Sequence, residues 1–267
     1  MRNLFIQFKT LILLGIVVAL GIIATAHFRP ATPILAQSRT QLTVSAAASL
    51  TDALKEIALL YRRSRPNVNL RYNFASSGAL QQQIENGAPV DVFISAAEKQ
   101  MNALQQKNLL LPGTRRNLLI NRMVLIVPAN SSGVINLQSL KNGNVKRIAI
   151  GDPRSVPAGQ YAEQILRKQG LWDSLKSKYV LASNVRQVLQ FVESGNAQAG
   201  LVYITDAKTT SQVKVVQMIP ANLHDPIVYL IAVIKTSNNP ATARNFSQFL
   251  SGNAARKVLT RYGFGMA

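Results

Sequence analysis

Four helix starts in this sequence have a composition suited to holding an anion. At each one, a β-branched run gives way to a short turn of small or polar residues, and a helical pattern follows directly. These turns occupy residues 46–50, 75–79, 156–160 and 183–186. The first amides of a helix have no acceptor within the helix and carry a partial positive charge. Four such turns meeting at one crevice can replace the hydration shell of an oxyanion without any charged side chain.

Each of these turns also has a purely structural interpretation. Ser49, Ser77 and Asn184 can cap their own helices, because serine and asparagine are favoured at that position. The residues after Pro157 can form a tight turn and nothing more, and Tyr203, at the end of a β run, can be a half-buried core residue. For any one turn taken alone the structural interpretation is favoured. The combination of all four favours a binding crevice.

The sequence offers little for catalysis. After the first 36 residues it contains one histidine, His224, no cysteine and no G-x-S-x-G motif. This histidine stands in an Asn-Leu-His-Asp loop and is expected at the surface. The carboxylates of Asp52, Asp91 and Asp152 fall in different turns, which they can cap or brace. We therefore expect a protein that is not an enzyme.

Alternating elements must position the four turns. Short β-branched runs alternate with segments of helical period, which is typical of an α/β fold with a mostly parallel sheet. Strands are predicted at residues 42–44, 68–74, 90–94, 123–127, 147–150, 200–203 and 227–234, and two helices are predicted within residues 240–264. In open α/β sheets, ligands bind beyond the carboxyl ends of the strands. The turns are expected at that edge, and the number of strands is compatible with two sheets.

The first 36 residues have the layout of an export signal followed by a tether. Arg2 and Lys9 precede the apolar run 11–24, and small residues suited to a signal peptidase occur at 24–26 and at Ala36, where cleavage is favoured. The alternative is an uncleaved anchor helix. Export to the periplasm is the expectation, and the absence of cysteine excludes disulfides and a lipid-modified N-terminal cysteine.

The chain is strongly basic, with a formal net charge of +19. Residues 1–36 contribute three basic residues and no acid, which leaves about +16 for the remainder. Lysine and arginine are scattered, without a dense tract or aromatic interleaving, so nucleic acid is not an expected partner. A solvated basic surface that attracts anions over a distance is favoured.

Six segments, with the spacing between them, closely resemble the molybdate-binding proteins of bacterial molybdate ABC transporters. The segments are AAASLTDAL (46–54), FASSGAL (74–80), GAPVDVFISA (87–96), GDPRSVPAGQYA (151–162), NVR (184–186) and GLVYITDA (200–207). The resemblance implies a two-lobed, periplasmic-binding-protein-like α/β fold, each lobe a mixed, mostly parallel sheet flanked by helices, with crossing strands between the lobes. Residues 40–121 and 232–267 would form lobe 1, and residues 122–231 would form lobe 2.

The resemblance also implies a set of ligand contacts. The hydroxyls and amides of Ser49 and Ser77, the amides of Ala158 and Val185, and the hydroxyl of Tyr203 would hold the oxyanion. The ligand would be molybdate or tungstate, and the same five residues would be the metal site if the molybdenum of the oxyanion is counted as a metal. No resident cofactor is implied. The partner would be the membrane permease of an ABC transporter, and a monomer is expected.

Two positions depart from the family pattern. Gly78 and Ala79 stand where relatives often carry further hydroxyl residues, and Asn184 stands where an acidic residue is frequent. The first departure can change the size of the pocket, and the second can weaken the cap of the helix that follows. Another tetrahedral oxyanion such as sulfate therefore remains an alternative ligand. The effector domain of a transcription regulator is a further alternative, which the export signal disfavours.

Overall fold

The structure, a computed structural model, describes residues 39–267, which form two β-sheets flanked by helices. The expected export signal and tether lie outside the described residues. The strands in chain order are β1 (Thr40–Ala47), β2 (Val68–Ala75), β3 (Val92–Ser95), β4 (Arg116–Ile120), β5 (Met123–Pro128), β6 (Ile148–Gly151), β7 (Tyr179–Ala182), β8 (Ala199–Tyr203), β9 (Val213–Met218), β10 (Val228–Val233) and β11 (Gly265–Met266). The α-helices are α1 (Thr51–Ser64), α2 (Ser77–Glu85), α3 (Glu98–Gln106), α4 (Pro157–Lys168), α5 (Val185–Glu193), α6 (Ile204–Ala207), α7 (Pro240–Leu250) and α8 (Asn253–Arg261).

Each lobe is built on one sheet. The first sheet has the strand order β11-β4-β10-β3-β1-β2, and the second has the order β7-β6-β8-β5-β9. The predicted two-lobed α/β fold with mixed sheets is therefore confirmed. Parallel pairing is confined to β2-β1-β3 and β7-β6-β8, while the other neighbours pair antiparallel. The sheets are less parallel than predicted, because the strands next to the crossings run against their neighbours.

The chain crosses between the sheets at two adjacent places. β4 of the first sheet leads through Asn121 and Arg122 into β5 of the second, and β9 leads back to β10 through residues 219–227. The amide of Asn121 donates to the Ile227 carbonyl at 3.1 Å, which joins the two crossings. β10 lies wholly in the first sheet, so the predicted return to lobe 1 at residue 232 belongs before Val228. The lobe limits are otherwise still a prediction.

Apolar alternation fixes which face of each element is buried. In β1, Leu42, Val44 and Ala46 are buried, and Ile57 and Tyr61 of α1 are buried in the same core cluster. Burial of such side chains contributes about 1.5–3 kcal/mol each, which is enough to fix the register of a strand against a helix. The loop-to-helix turns are thereby held at the ends of the strands.

Helix α4 has a polar-aromatic cluster at its C-terminal end. The helix ends before Gly170, which adopts φ +65°, and the chain turns back over its last residues. The ring of Trp172 lies 4.7 Å from that of Tyr179, measured between centroids, and the guanidinium of Arg167 lies 5.2 Å from the centroid of the same indole. This cluster closes the end of α4 that is opposite to its first turn.

Candidate functional site

The four turns singled out in the sequence meet at one small cavity between the lobes. The cavity is lined by Ala47, Ala48, Ser49, Ala75, Ser76, Ser77 and Ala96 from the first lobe and by Val156, Pro157, Ala158, Asn184, Val185 and Tyr203 from the second. Its volume of about 10 Å³ is close to what a single water requires. A ligand of a few atoms suits such a site, and a sugar or an amino acid does not.

The five predicted contact residues all line this cavity, and the two serines are not helix caps. Ser76, not Ser77, caps α2, because its hydroxyl accepts from the Ala79 amide. The Ser77 hydroxyl instead accepts from the amide of Ala96 at 3.0 Å. Its own proton is therefore available for donation toward the cavity. Ser49 lies in a short 3-10 turn for which residues 39–267 provide no side-chain cap.

A hydrogen-bonded chain from the crossing strands sets the direction of the Ser49 hydroxyl. The Arg122 amide donates to Oδ1 of Asn121 at 2.9 Å, so Nδ2 of Asn121 must be the donor group. That nitrogen donates to the Tyr229 hydroxyl at 3.2 Å and to the Thr205 hydroxyl at 2.9 Å. The Tyr229 and Ser49 oxygens are 2.8 Å apart. With Tyr229 accepting from Asn121, it is left to donate to Ser49, whose proton can then point into the cavity.

Helix starts supply the backbone donors of the second lobe. The amides of Ala158 and Val185 lie in the first turns of α4 and α5, and no acceptor for either is found among residues 39–267. The Asn184 side chain accepts from the amides of Arg186 and Gln187, at 2.9 and 3.1 Å. Asn184 therefore caps α5 through two hydrogen bonds.

Two glycines, Gly151 and Gly159, let the first turn of α4 pack directly against the end of β6, which places the Ala158 amide there. A Cβ added to Gly159 would lie 2.0 Å from the carbonyl oxygen of Gly151, and one added to Gly151 would lie 2.5 Å from the Val156 side chain. Real Cβ contacts are never this short, so both glycines are needed where α4 starts against the strand. The glycine pair therefore fixes the position of one backbone donor.

Tyr203 presents a buried hydroxyl that has no hydrogen-bond partner in the part of the chain that the structure describes. The residue is 1 % exposed, ends β8 and lines the cavity. Buried polar groups without partners are rare in native structures, and each one calls for an explanation. Burial raises the pKa of the Tyr203 phenol well above its usual value, because desolvation disfavours the phenolate. The hydroxyl therefore keeps its proton and can donate.

The lining of the cavity presents dipoles and no charged side chain. None of its lining residues is Asp, Glu, Lys, Arg or His. Hydroxyl protons and helix-start amides converge from both lobes, an arrangement that stabilises a small anion in place of its hydration shell. Tyr229, Asn121 and the Ala96 amide support this arrangement and were not predicted as site residues. A tyrosine in a β run carries no local signal for such a role.

The remaining polar residues considered in the sequence lie outside the cavity. His224, expected at the surface, is 8 % exposed and packs edge-to-face on Tyr161, with the ring centroids 5.7 Å apart. Asp91 accepts from the Thr43 amide and the Ser237 hydroxyl, so it braces a turn as expected. Asp152 pairs with Arg154 at the surface. Residues 39–267 contain no group of three or more His, Cys, Asp or Glu placed to hold a metal ion.

The lobes touch beside the cavity at Gly78. Its amide donates to the carbonyl oxygen of Ser155 at 3.0 Å, and a Cβ at this position would lie 2.4 Å from that oxygen. Gly78, one of the departures from the family pattern, thus allows the start of α2 to approach the loop before α4. A larger residue would hold the two turns apart.

Comparison with known proteins agrees with this architecture. Residues 42–265 match the family described as bacterial extracellular solute-binding protein. The chain is similar to the molybdate-binding protein of Haemophilus influenzae, with 43 % identity over 230 residues, covering 84 % of this chain and 89 % of the relative. Among solved structures it is similar to the substrate-binding domain of a putative molybdenum ABC transporter from Clostridium difficile (42 % identity, TM-score 0.67) and to the periplasmic molybdate-binding protein of Azotobacter vinelandii (28 % identity, TM-score 0.77). Each of these two alignments covers 85 % of this chain and 99 % of the solved one.

Proposed function

The chain belongs to the bacterial extracellular solute-binding proteins, and we propose that it captures molybdate or tungstate and delivers the anion to the permease of an ABC transporter. The observation that carries the proposal is the hydroxyl of Tyr203, which has no hydrogen-bond partner within residues 39–267 and is buried at a cavity where hydroxyl and amide donors converge from both lobes. Relatives at 41–43 % identity are named as molybdate-binding proteins, which supports this choice of ligand.

The proposed contacts are the hydroxyls and amides of Ser49 and Ser77, the amides of Ala158 and Val185, and the hydroxyl of Tyr203. All five residues line the cavity, and the two serine hydroxyls already accept hydrogen bonds, so donation is the role left to them. The protein supplies no chemistry to the ligand in this proposal and has no resident cofactor. It acts as a monomer in the periplasm, reached through the export signal at residues 1–36.

The proposal is tested by calorimetric titration of residues 37–267 with molybdate, tungstate, sulfate and phosphate in parallel. Molybdate and tungstate are expected to bind, because both are dianions of tetrahedral shape that need donors only. Sulfate has the same charge, so its discrimination rests on the size of the cavity. If sulfate bound tightly and molybdate did not bind, the ligand would be sulfate and not molybdate. No binding of any of the four would refute the function itself.

Phosphate is expected to bind about tenfold or more weakly than molybdate at neutral pH. It still carries a proton there, and the cavity lining contains no carboxylate to accept it. A buried donor left without an acceptor costs about 1–3 kcal/mol. Competition titration measures the difference directly. Displacement of molybdate by an equal concentration of phosphate would point to an acceptor outside the proposed set, with Asp152 the first residue to test.

Ligand binding is expected to contract the protein. The proposed donors come from both lobes, and two adjacent crossings, at Asn121 and at residues 219–227, are the covalent links between the sheets. Such links act as hinges when a ligand bridges two lobes. Small-angle scattering with and without molybdate should show a smaller radius of gyration in the loaded protein. An unchanged radius would contradict a closing motion.

A further inference from the structure

Arg186 lies next to the cavity without lining it, and its guanidinium makes ion pairs with acids of both lobes. Its Nη2 is 2.6 Å from Oδ2 of Asp52 on α1, and its Nε is 2.6 Å from Oδ1 of Asp206 on α6. The first pair is also a hydrogen bond, whereas the second lacks hydrogen-bond geometry and is an electrostatic contact. Helix α1 packs on the first sheet and α5 on the second, so the side chain joins the lobes.

Burial distinguishes the two pairs. The Asp206 side chain is 0 % exposed and the Arg186 side chain 24 %, whereas Asp52 is 39 % exposed. The contact with Asp206 lies inside the second lobe, so it belongs to the structure of that lobe. The contact with Asp52 bridges the lobes near the surface, so it can break when they separate. Arg186 can therefore stay anchored in one lobe while it holds or releases the other.

The spacing along the chain ties this arginine to three of the donor turns. Val185 immediately precedes Arg186, Asp52 follows Ser49 by three residues, and Asp206 follows Tyr203 by three residues. One guanidinium thus touches the short segments that carry three of the five proposed contact residues. No lysine or other arginine makes an ion pair between the lobes among residues 39–267.

We propose that Arg186 is a positioning residue for the anion, and that its pair with Asp52 is the clamp that sets how long the anion stays bound. The inference rests on the proposed function. Arg186 touches no ligand in this arrangement; it keeps the turns of Ser49, Val185 and Tyr203 in register across the lobes. Because the clamp exists when the lobes are together, it slows their separation and so acts on release more than on capture.

The test replaces Asp52 by asparagine and compares it with a matched control on the same helix, Glu56→Gln. Glu56 is 35 % exposed, close to the 39 % of Asp52, and pairs with Arg261 of α8, away from α5. Each variant removes one negative charge, so the net charge of the protein changes equally. Protein loaded with radiolabelled molybdate is chased with excess unlabelled molybdate, and the release rate is measured by filter binding.

Asp52→Asn is expected to release molybdate roughly three- to tenfold faster than wild type, with a similar association rate, whereas Glu56→Gln should match wild type. Asp52→Glu, which keeps the charge, should restore slow release in part. Release from wild type should quicken as salt screens the half-exposed pair, and release from Asp52→Asn should not. If the role of Asp52 were purely structural, the release rates of wild type and of Asp52→Asn would respond to salt in the same way.

The outcomes separate the clamp from the function. If wild type holds molybdate and Asp52→Asn releases it no faster than Glu56→Gln, the clamp is refuted and the proposed function stands. If wild type binds none of the four anions, the proposed function fails and the clamp fails with it. A melting temperature of ligand-free Asp52→Asn equal to that of Glu56→Gln verifies that the comparison reports on release and not on folding.

Discussion

Replacing Tyr203 by phenylalanine should weaken molybdate binding by roughly 10- to 150-fold. The change deletes one hydrogen bond to a charged ligand, for which about 1.5–3 kcal/mol is typical. The ligand-free protein should lose no stability, because the deleted hydroxyl is buried without a partner in the described residues. Calorimetric titration gives the change in affinity, and thermal unfolding without ligand gives the change in stability.

Tyr161→Phe is the matched control for this experiment. Tyr161 is also a buried tyrosine of the second lobe, at 5 % exposure, but its hydroxyl faces the carbonyl of Pro226 and it does not line the cavity. The control should bind molybdate as wild type does. Equal affinities of Tyr203→Phe and wild type would remove Tyr203 from the proposed contacts and, with it, the observation on which the function depends most.

Replacing Arg186 by methionine should lower the free energy of unfolding by about 3–5 kcal/mol at neutral pH. The substitution leaves the fully buried carboxylate of Asp206 without its counter-charge, and breaking a buried pair in this way is strongly destabilising. Urea titration monitored by circular dichroism measures the loss. The double variant Arg186→Met/Asp206→Asn should recover much of the lost stability, because the pair then leaves no buried charge at this site. Equal stabilities of wild type and Arg186→Met would show that Asp206 is not charged in the folded protein.

The loss of stability caused by Arg186→Met should also depend on pH. Burial raises the pKa of Asp206 to about 6, while Arg186 lowers it and the nearby Asp52 raises it. Since the carboxyl has a higher pKa folded than unfolded, its contribution to stability falls as pH rises from about 4 through the folded pKa. Without Arg186 the pKa of Asp206 in the folded protein rises further, so the pH range over which stability falls extends to higher pH. The difference between wild type and Arg186→Met should therefore be larger at pH 8 than at pH 5.

Local patterns in the sequence predict most of the sheet elements. The alternation of residues 68–74 and the apolar run 123–127 correspond to β2 and β5, and Pro240 starts the first of two C-terminal helices. β4, β7, β9 and β11 are not predicted. The edge strands β7 and β9 have no clean pattern: Leu181 of β7 is 50 % exposed and Val215 of β9 is 38 % exposed. Edge strands lack the two buried faces that produce long apolar runs.

The positions of the donor turns could be predicted, but their supporting contacts could not. Ser49 and Tyr229 are 180 residues apart, and nothing between them in sequence indicates that their hydroxyls meet. The choice between Ser76 and Ser77 as the cap of α2 depends on a one-residue shift in the helix start. His224 is buried by Tyr161, a contact between distant segments. Each of these features follows from tertiary packing, which local composition does not encode.

The cluster at the C-terminal end of α4 provides an intrinsic fluorescence probe. Trp172 is the single tryptophan of the chain, so tryptophan emission, excited selectively above the tyrosine absorption band, comes from one place. It lies beyond the C-terminal end of a 12-residue helix whose first turn carries Ala158, roughly 15 Å away along the axis at 1.5 Å per residue. Emission should then change little when the anion binds and strongly when the second lobe unfolds. Compared with far-ultraviolet dichroism, which senses both lobes, it can reveal whether they melt in one step or two.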